Sequence, residues 1–221
     1  MSNVLITGTG RGIGRETAIL FLERGYTVHG IDIRPSSIEN KGYRHHVADV
    51  SKAETLPEIG DVEILVNAAG VQDSEDDILV NLRGTMNVTE KYGVRDGIKA
   101  VLNIASASAH TGAEFPSYSA SKGGIISYTR NVAIRIAPYG ATCNSISPGG
   151  VLTESNSPVI RDGKLWAEIM ALTPLRKWAT EREIAEWIYF ICVVNRSMSG
   201  EDILIDNGES HLSSHFVWPE G

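Results

Sequence analysis

Residues 4–14 read VLITGTGRGIG, and this stretch decides the fold. The apolar run Val4–Thr7 is typical of a buried strand, and residues 14–24 have the spacing of an amphipathic helix that ends at Gly25. A glycine turn between a strand and a helix lets the backbone approach a pyrophosphate, which the free N–H groups at the helix start then bind. The spacing T-G-x-x-x-G-x-G therefore predicts a dinucleotide site whose turn consists of Gly8, Gly10, Arg11, Gly12, Ile13 and Gly14.

An acidic residue, Asp32, ends the second apolar run, 24 residues after Gly8. A carboxylate at this strand end accepts hydrogen bonds from both hydroxyls of an adenosine ribose, and its charge repels a 2′-phosphate. Arg11 in the turn and Arg34 just after Asp32 are positive charges that would favour a 2′-phosphate instead. We expect NAD as the cofactor, with NADP as the less favoured alternative.

Seven short apolar runs alternate with helix-like stretches along the chain, which is the pattern of a parallel sheet covered on both faces. The composition is that of an ordinary globular domain, with 42% hydrophobic and 21% charged residues. No linker-like segment or internal repeat divides the sequence. We predict an α/β fold with a single doubly wound domain over residues 1–221. Its ligand is expected beyond the carboxyl ends of the strands.

Charge and hydropathy exclude several classes of partner. The formal net charge of −7 disfavours nucleic acid and anionic membrane surfaces. The apolar run over residues 188–194 is far too short to span a bilayer, and Met1-Ser2-Asn3 has no basic signal region. Neither the two cysteines, Cys143 and Cys192, nor the six histidines have metal-ligand spacing. We expect a cytoplasmic protein with two buried thiols and no metal.

Two residues of the helix predicted over 118–136 indicate chemistry. Tyr118 and Lys122 are four residues apart and so share one helix face. A phenol is a poor base at neutral pH, but a neighbouring ammonium favours its phenolate form, which exchanges a proton with an alcohol or ketone. Ser106 lies at the end of an adjacent predicted strand, within reach of the same substrate oxygen.

In order and spacing, these motifs resemble the short-chain dehydrogenase/reductase family, which has a Rossmann fold. The resemblance covers residues 4–208. Three features depart from the usual pattern: Asn207 stands where the family usually has glycine, Asn81 follows Gly70 by only eleven residues, and the spacing from Ser106 to Tyr118 is one residue tighter than the commonest one. The matching segments are Thr7–Gly14, Asn67–Gly70, Val80–Gly84, Asn103–Ser106, Tyr118–Lys122, Asn144–Gly149 and Gly200–Gly208.

The resemblance implies four catalytic roles. Tyr118 is the acid/base, and Ser106 orients and polarises the substrate oxygen. Lys122 binds the nicotinamide ribose and lowers the pKa of Tyr118, and Asn81 holds a water that relays protons from Lys122. Hydride passes directly between the substrate carbon and the nicotinamide, so this chemistry needs no metal.

The resemblance also implies further contacts with the cofactor. One group should bracket the adenine: Asp49 and Val50. Another should line the side of the adenosine ribose: Asn67, Ala68, Ala69 and Gly70. A third should hold the nicotinamide and its carboxamide: Pro148, Gly149, Val151 and Thr153.

The substrate should meet an apolar lid over residues about 154–173, which carries Trp166 and a short helix from about Asp162. His110 and Glu114 lie between Ser106 and Tyr118, where either could contact substrate or lie in a solvated loop. The helices predicted over 76–92 and 118–136 have surplus apolar residues, and the resemblance implies a homodimer or homotetramer. The tail over residues 209–221 either packs on a neighbouring subunit or frays.

The sequence thus predicts an NAD-dependent oxidoreductase that interconverts a secondary alcohol and a ketone. One alternative is an NADPH-dependent carbonyl reductase that uses Arg11 and Arg34. A second, from another class, is a protein that binds nicotinamide cofactor as a sensor without turnover. The presence of Asn81, Ser106 and the Tyr118–Lys122 pair argues against the sensor, because binding alone does not need them.

Overall fold

A seven-stranded parallel sheet forms the centre of the molecule, as the sequence predicts. The computed structural model describes residues 2–113 and 115–212. Its strands are β1 (Asn3–Thr7), β2 (Thr27–Asp32), β3 (Tyr43–Val47), β4 (Val62–Asn67), β5 (Ala100–Ile104), β6 (Thr142–Pro148) and β9 (Asp202–Ile205). Their order in the sheet is β3-β2-β1-β4-β5-β6-β9, and every neighbouring pair is parallel. A separate two-stranded sheet, which the sequence analysis did not predict, pairs β7 (Val151–Leu152) with β8 (Ala179–Thr180).

In the described residues, five α-helices and two composite helices accompany the sheet. The helices are α1 (Gly12–Glu23), α3 (Ser108–Thr111), α4 (Pro116–Ile136), α5 (Ser157–Arg161) and α6 (Gly163–Leu172), with two composite helices. The composite α2 runs through Ile78–Gly84, Thr85–Val88 and Thr89–Gly93, and the composite α7 runs through Glu181–Tyr189 and Phe190–Val194. Helix α2 begins and ends with wide π-type turns, and α7 ends with such turns. Turns of this type are frequent near functional sites.

The core has two layers, one on each face of the sheet. On one face, Phe21 of α1 and Ile184 of α7 pack with Val4 and Ile6 of β1. On the other face, helices α2 and α4 cover residues such as Leu65 of β4. Successive side chains of a strand point to opposite faces, so the apolar runs of the central strands supply both layers.

The sheet order reverses between β1 and β4, because the chain leaves β3 at one edge and returns beside β1. At such a switch point the loops after neighbouring strands diverge and leave a crevice beyond the carboxyl ends. The glycine turn follows β1, and residues 68–70 follow β4. The fold therefore brings these two segments to the mouth of one crevice.

Two helices begin earlier than their apolar periodicity indicates. Helix α1 begins at Gly12, two residues before Gly14, and α4 begins at Pro116, two residues before Tyr118. Proline is favoured in the first turn of a helix, where its missing N–H costs no hydrogen bond. Tyr118 therefore lies inside the first turn of α4, close to the carboxyl edge of the sheet.

Candidate active site

The glycine turn packs directly against the segment after β4. Gly8 has a φ of +74°, and a Cβ at this position would lie 2.8 Å from the carbonyl carbon of Ala68. The Thr7 hydroxyl accepts hydrogen bonds from the N–H groups of Ala68 and Ala69, both at 3.1 Å. Thr7 is buried, and it joins the glycine turn to the segment after β4.

The start of α1 is open to an anion. Arg11 precedes the helix without a side-chain capping hydrogen bond, and the first turn of α1 carries no acidic residue. A Cβ at Gly14 would lie 2.3 Å from the carbonyl oxygen of Gly8, so only glycine fits there. These glycines and free N–H groups form a cradle of the shape and polarity that a pyrophosphate requires.

Asp32 lies beside this cradle at the end of β2. Its Oδ2 accepts the Gly10 N–H at 2.8 Å, and its Oδ1 accepts the Arg34 N–H at 2.9 Å. The carboxylate is thus fixed by two backbone groups and is partly exposed at the crevice. The side chains of Arg11 and Arg34 are exposed.

The groups predicted to be catalytic come together at the ends of β4 and β5. Lys122 is buried, and its Nζ donates to the carbonyl oxygen of Ile104 at 2.9 Å. The same Nζ lies 5.6 Å from the centre of the Tyr118 ring. The Ser106 hydroxyl interacts with the Tyr118 phenol and lowers its pKa. The structure therefore places Ser106, Tyr118 and Lys122 in one cluster.

The environment shifts both titratable groups of this cluster away from their charged forms. Burial raises the pKa of Tyr118, the hydrogen bond from Ser106 opposes that rise, and the Asp77 carboxylate adds to it. Burial lowers the pKa of Lys122 to about 8, against the attraction of Asp77. Before a cofactor binds, Tyr118 is therefore a neutral phenol, and an added positive charge is needed to favour the phenolate.

Asn81 lies in the first, wide part of α2 and is fully buried. Its Nδ2 donates to the Val71 carbonyl at 2.9 Å and to the Ser121 hydroxyl at 3.1 Å, and its Oδ1 accepts the Val71 N–H at 2.8 Å. A Cβ at Gly70 would lie 3.0 Å from Asn81 Oδ1 and 3.6 Å from Lys122 Nζ. Gly70 is thus the point where Asn81 and Lys122 converge.

Asn67 points away from the crevice. Its Nδ2 donates to Thr89 Oγ1 at 2.9 Å and to Asn103 Oδ1 at 2.8 Å, inside the layer beneath the sheet. Among the described residues its Oδ1 has no hydrogen-bond partner. The Asn67 amide group therefore joins α2 to β5.

The predicted adenine contacts lie after β3. Asp49 Oδ1 accepts the Ser51 hydroxyl at 2.6 Å, and hydrogen bonds from Ser51 and Lys52 hold the pKa of Asp49 below its ordinary value. Val50 is buried, and its carbonyl accepts Asn87 Nδ2 at 3.0 Å. Asp49 thus remains an ionised hydrogen-bond acceptor after the end of β3.

The predicted nicotinamide segment follows β6. The Pro148 carbonyl accepts the Ala107 N–H at 2.9 Å, which ties this segment to the loop that carries Ser106. A Cβ at Gly149 would lie 2.7 Å from Asp206 Cβ, so the chain passes very close to the turn after β9. Val151 is buried in β7, and Thr153 is half-buried next to it.

Residues 154–173 are mostly helical, in α5 and α6. The Asp162 carboxylate caps α6 by accepting the N–H groups of Lys164 and Leu165, both at 3.1 Å. No residue of α6 is fully buried, and Trp166 packs edge-on against Trp178 at 5.1 Å between ring centres. The lack of buried residues in α6 agrees with a substrate lid over residues 154–173, which remains a prediction.

His110 does not face the substrate crevice as a free side chain. Its Nε2 lies 2.7 Å from Asp202 Oδ2 and 3.3 Å from Ser147 Oγ, so it anchors α3 to β6 and β9. Glu114 and the tail beyond Leu212 lie outside the described residues.

Sequence reasoning missed several residues that shape the site. Thr7 and Ser121 make their contacts across the fold, and Arg15 Nε donates to Ser37 Oγ at 3.0 Å beside Gly10. Asp77 is buried, and its charge raises the pKa of Lys122. The sequence gives no local signal for the burial of Asp77, because the four acidic residues over 73–77 are typical of a solvated helix start.

Within residues 2–113 and 115–212, no cluster of three or more histidine, cysteine or acidic side chains could hold a metal ion. Over the same ranges, no helix is long and apolar enough to cross a membrane. Both cysteines are buried free thiols whose pKa is raised by burial.

The fold and the cluster define a nucleotide-dependent oxidoreductase that acts on CH–OH groups. A family model described as enoyl-(acyl carrier protein) reductase matches residues 8–210. The chain belongs to the short-chain dehydrogenase/reductase family.

Individual relatives support this assignment. The chain is 31% identical to a glucose 1-dehydrogenase of Gluconobacter oxydans, over 93% of this chain and 90% of that protein. It is 25% identical to a 3-oxoacyl-[acyl-carrier-protein] reductase FabG of Staphylococcus aureus, over 93% of this chain and 97% of that protein. The structure of 4-hydroxyisoleucine dehydrogenase complexed with NADH superposes with a TM-score of 0.88 at 26% identity, over 96% of this chain and 100% of that chain.

Proposed function

We propose that this protein interconverts a secondary alcohol and a ketone with NAD as its cofactor. The observation that carries the proposal is the convergence of Ser106, Tyr118 and Lys122 beside the glycine cradle. When bound, the nicotinamide exchanges a hydride with the substrate carbon. The residues of this chain are left to orient the substrate oxygen and to move its proton.

Tyr118 exchanges the proton with the substrate oxygen, and the Ser106 hydroxyl orients that oxygen by hydrogen bonding. Lys122 binds the nicotinamide ribose and stabilises the Tyr118 phenolate through its positive charge. Asn81, held between Val71 and Ser121, positions the water that relays protons from Lys122. The apolar lid over residues 154–173 favours a non-polar or ring-shaped substrate, because lid closure excludes water from the reacting atoms.

The preference for NAD rests on Asp32. Its carboxylate is held at the crevice by Gly10 and Arg34, where it would accept the ribose hydroxyls and repel a 2′-phosphate. The competing proposal, a carbonyl reductase that uses NADPH, is favoured by the exposed side chains of Arg11 and Arg34.

We expect NADH to bind more tightly than NADPH in a side-by-side fluorescence titration. Asp32→Asn removes the charge and should raise the NADPH-to-NADH affinity ratio by roughly tenfold. Glu39→Ala removes an exposed carboxylate nearby and should leave that ratio unchanged. Tighter NADPH binding by the unmodified protein would overturn the NAD proposal and favour the reductase.

We further propose a homodimer or homotetramer in the cytoplasm. The buried free thiols suit a reducing compartment. Large apolar side chains are exposed on α7, where Trp187 is 44%, Phe190 47% and Val194 53% accessible. A patch of this kind on a helix is typical of a subunit interface.

Sedimentation at micromolar concentration is expected to give a dimer or tetramer. Trp187→Glu places a charge in the α7 patch and should lower the observed mass, whereas Leu172→Glu on α6, where Leu172 is 76% exposed, should not. A monomeric unmodified protein would reject the oligomer.

A further inference from the structure

Asp77 is a buried carboxylate without an evident structural task. It is 2% exposed, and among the described residues its Oδ1 has no hydrogen-bond partner. Its side chain makes no capping hydrogen bond to the start of α2. Burying an acid is costly unless a partner compensates the charge, so its position needs an explanation. The preceding residue, Asp76, is exposed to solvent.

The location of Asp77 supplies that explanation. It lies one helical turn before Asn81, whose amide reaches Ser121, the neighbour of Lys122. Asn81 Oδ1 and Lys122 Nζ converge at Gly70, where a Cβ would lie 3.0 Å from the first and 3.6 Å from the second. The charge of Asp77 acts on the same group of residues, since it raises the pKa of both Lys122 and Tyr118. Among the described residues, Lys122 Nζ has one hydrogen-bond partner, the carbonyl oxygen of Ile104. This oxygen carries no formal charge.

We propose that Asp77 is a positioning residue that supplies the buried counter-charge of Lys122. The inference rests on the proposed role of Lys122 in catalysis. A buried ammonium without an opposite charge tends to lose its proton, and a neutral lysine would neither stabilise the Tyr118 phenolate nor relay a proton. Asp77 keeps Lys122 protonated. Because it also opposes ionisation of Tyr118, the phenol stays neutral until cofactor and substrate are in place.

The charge state of Lys122 is measured directly by NMR. The chain has seven lysines, so uniform ¹³C labelling of the lysine ε-carbons gives a simple spectrum in which Lys122→Met assigns the signal of interest. We expect Asp77→Asn to lower the titration midpoint of Lys122 by about one pH unit, because the variant removes an anion that favours the ammonium. Asp76→Asn, which removes the same charge from an exposed position, should leave the midpoint in place.

An unchanged midpoint in Asp77→Asn, or equal changes in both variants, would overturn the proposal. The titration uses protein without cofactor or substrate, so it is independent of turnover. Failure of the proposed function would instead appear as full activity in Tyr118→Phe.

A double-mutant cycle covers the case in which Asp77→Asn is poorly folded. If Asp77 is the counter-charge, the poor folding of Asp77→Asn results from the unpaired charge of Lys122. Adding Lys122→Met removes that charge and should restore the urea midpoint of unfolding. Asp76→Asn should show no such coupling to Lys122→Met. If Lys122→Met fails to rescue Asp77→Asn, Asp77 is not the counter-charge of Lys122.

Discussion

Tyr118→Phe is expected to reduce kcat by about 1,000-fold with little change in NADH affinity. The variant removes one hydroxyl, the group that exchanges a proton with the substrate oxygen. The aromatic ring remains, so the packing at the start of α4 and the 5.6 Å approach of Lys122 Nζ should be kept. Stopped-flow measurement of nicotinamide absorbance gives the rate, and NADH fluorescence gives the affinity.

Tyr128→Phe is the matched control for this variant. Tyr128 lies on the same helix, but its hydroxyl donates to Glu90 Oε1 at 2.9 Å, away from the crevice. Removing it should cost some stability and leave kcat within about twofold. Full activity in Tyr118→Phe would refute Tyr118 as the acid/base. A different result would favour the sensor: the unmodified protein binds NADH but turns over none of a broad panel of secondary alcohols and ketones.

Gly14→Ala is expected to abolish cofactor binding, with at least a 100-fold loss of NADH affinity. The added methyl group would lie 2.3 Å from the Gly8 carbonyl oxygen and 2.9 Å from that of Thr7, both of them backbone atoms. Neither atom can rotate away, so the glycine turn must separate from the start of α1. That movement would misalign the N–H groups that form the pyrophosphate cradle. Isothermal titration with NADH measures the loss.

Gly163→Ala controls for the effect of an added methyl group. Gly163 begins α6, and a Cβ there would meet no atom within 4 Å, so the substitution should leave NADH affinity and unfolding midpoint nearly unchanged. Normal NADH affinity in Gly14→Ala would mean that the cofactor does not bind at the glycine turn. The variant must be shown to be folded by circular dichroism, because the same clash lowers stability by about 1–3 kcal/mol.

Much of the fold was predictable because its signals are local. The strand, glycine turn and helix over residues 3–23 follow from spacing alone, and the predicted parallel sheet of seven strands is confirmed. Boundaries were less accurate: the periodicity of apolar side chains does not report the first turn of α4, which begins at the solvent-facing Pro116. The small β7–β8 sheet was missed because a two-residue strand has no periodicity to detect.

The orientation of individual polar side chains was harder to predict than their position. Asn67 belongs to the segment predicted to line the adenosine ribose, and its side-chain amide is hydrogen-bonded to Thr89 and Asn103. His110 lies close to Ser106 in sequence, but it is held by Asp202, which is 92 residues away. Both outcomes depend on which strands are neighbours, because a polar group takes whichever buried partner the sheet order brings within reach.

The sequence by itself determined the class of this protein. Spacing within one strand–turn–helix unit and within one helix identifies the glycine cradle, Asp32 and the Tyr118–Lys122 pair, since those distances follow from backbone geometry. Only the tertiary structure decided how these parts meet. It joined Thr7 to Ala68 across 61 residues and buried Asp77 beside Lys122. Such contacts depend on strand order, register and burial, which are properties of the whole packed chain rather than of any short stretch of it.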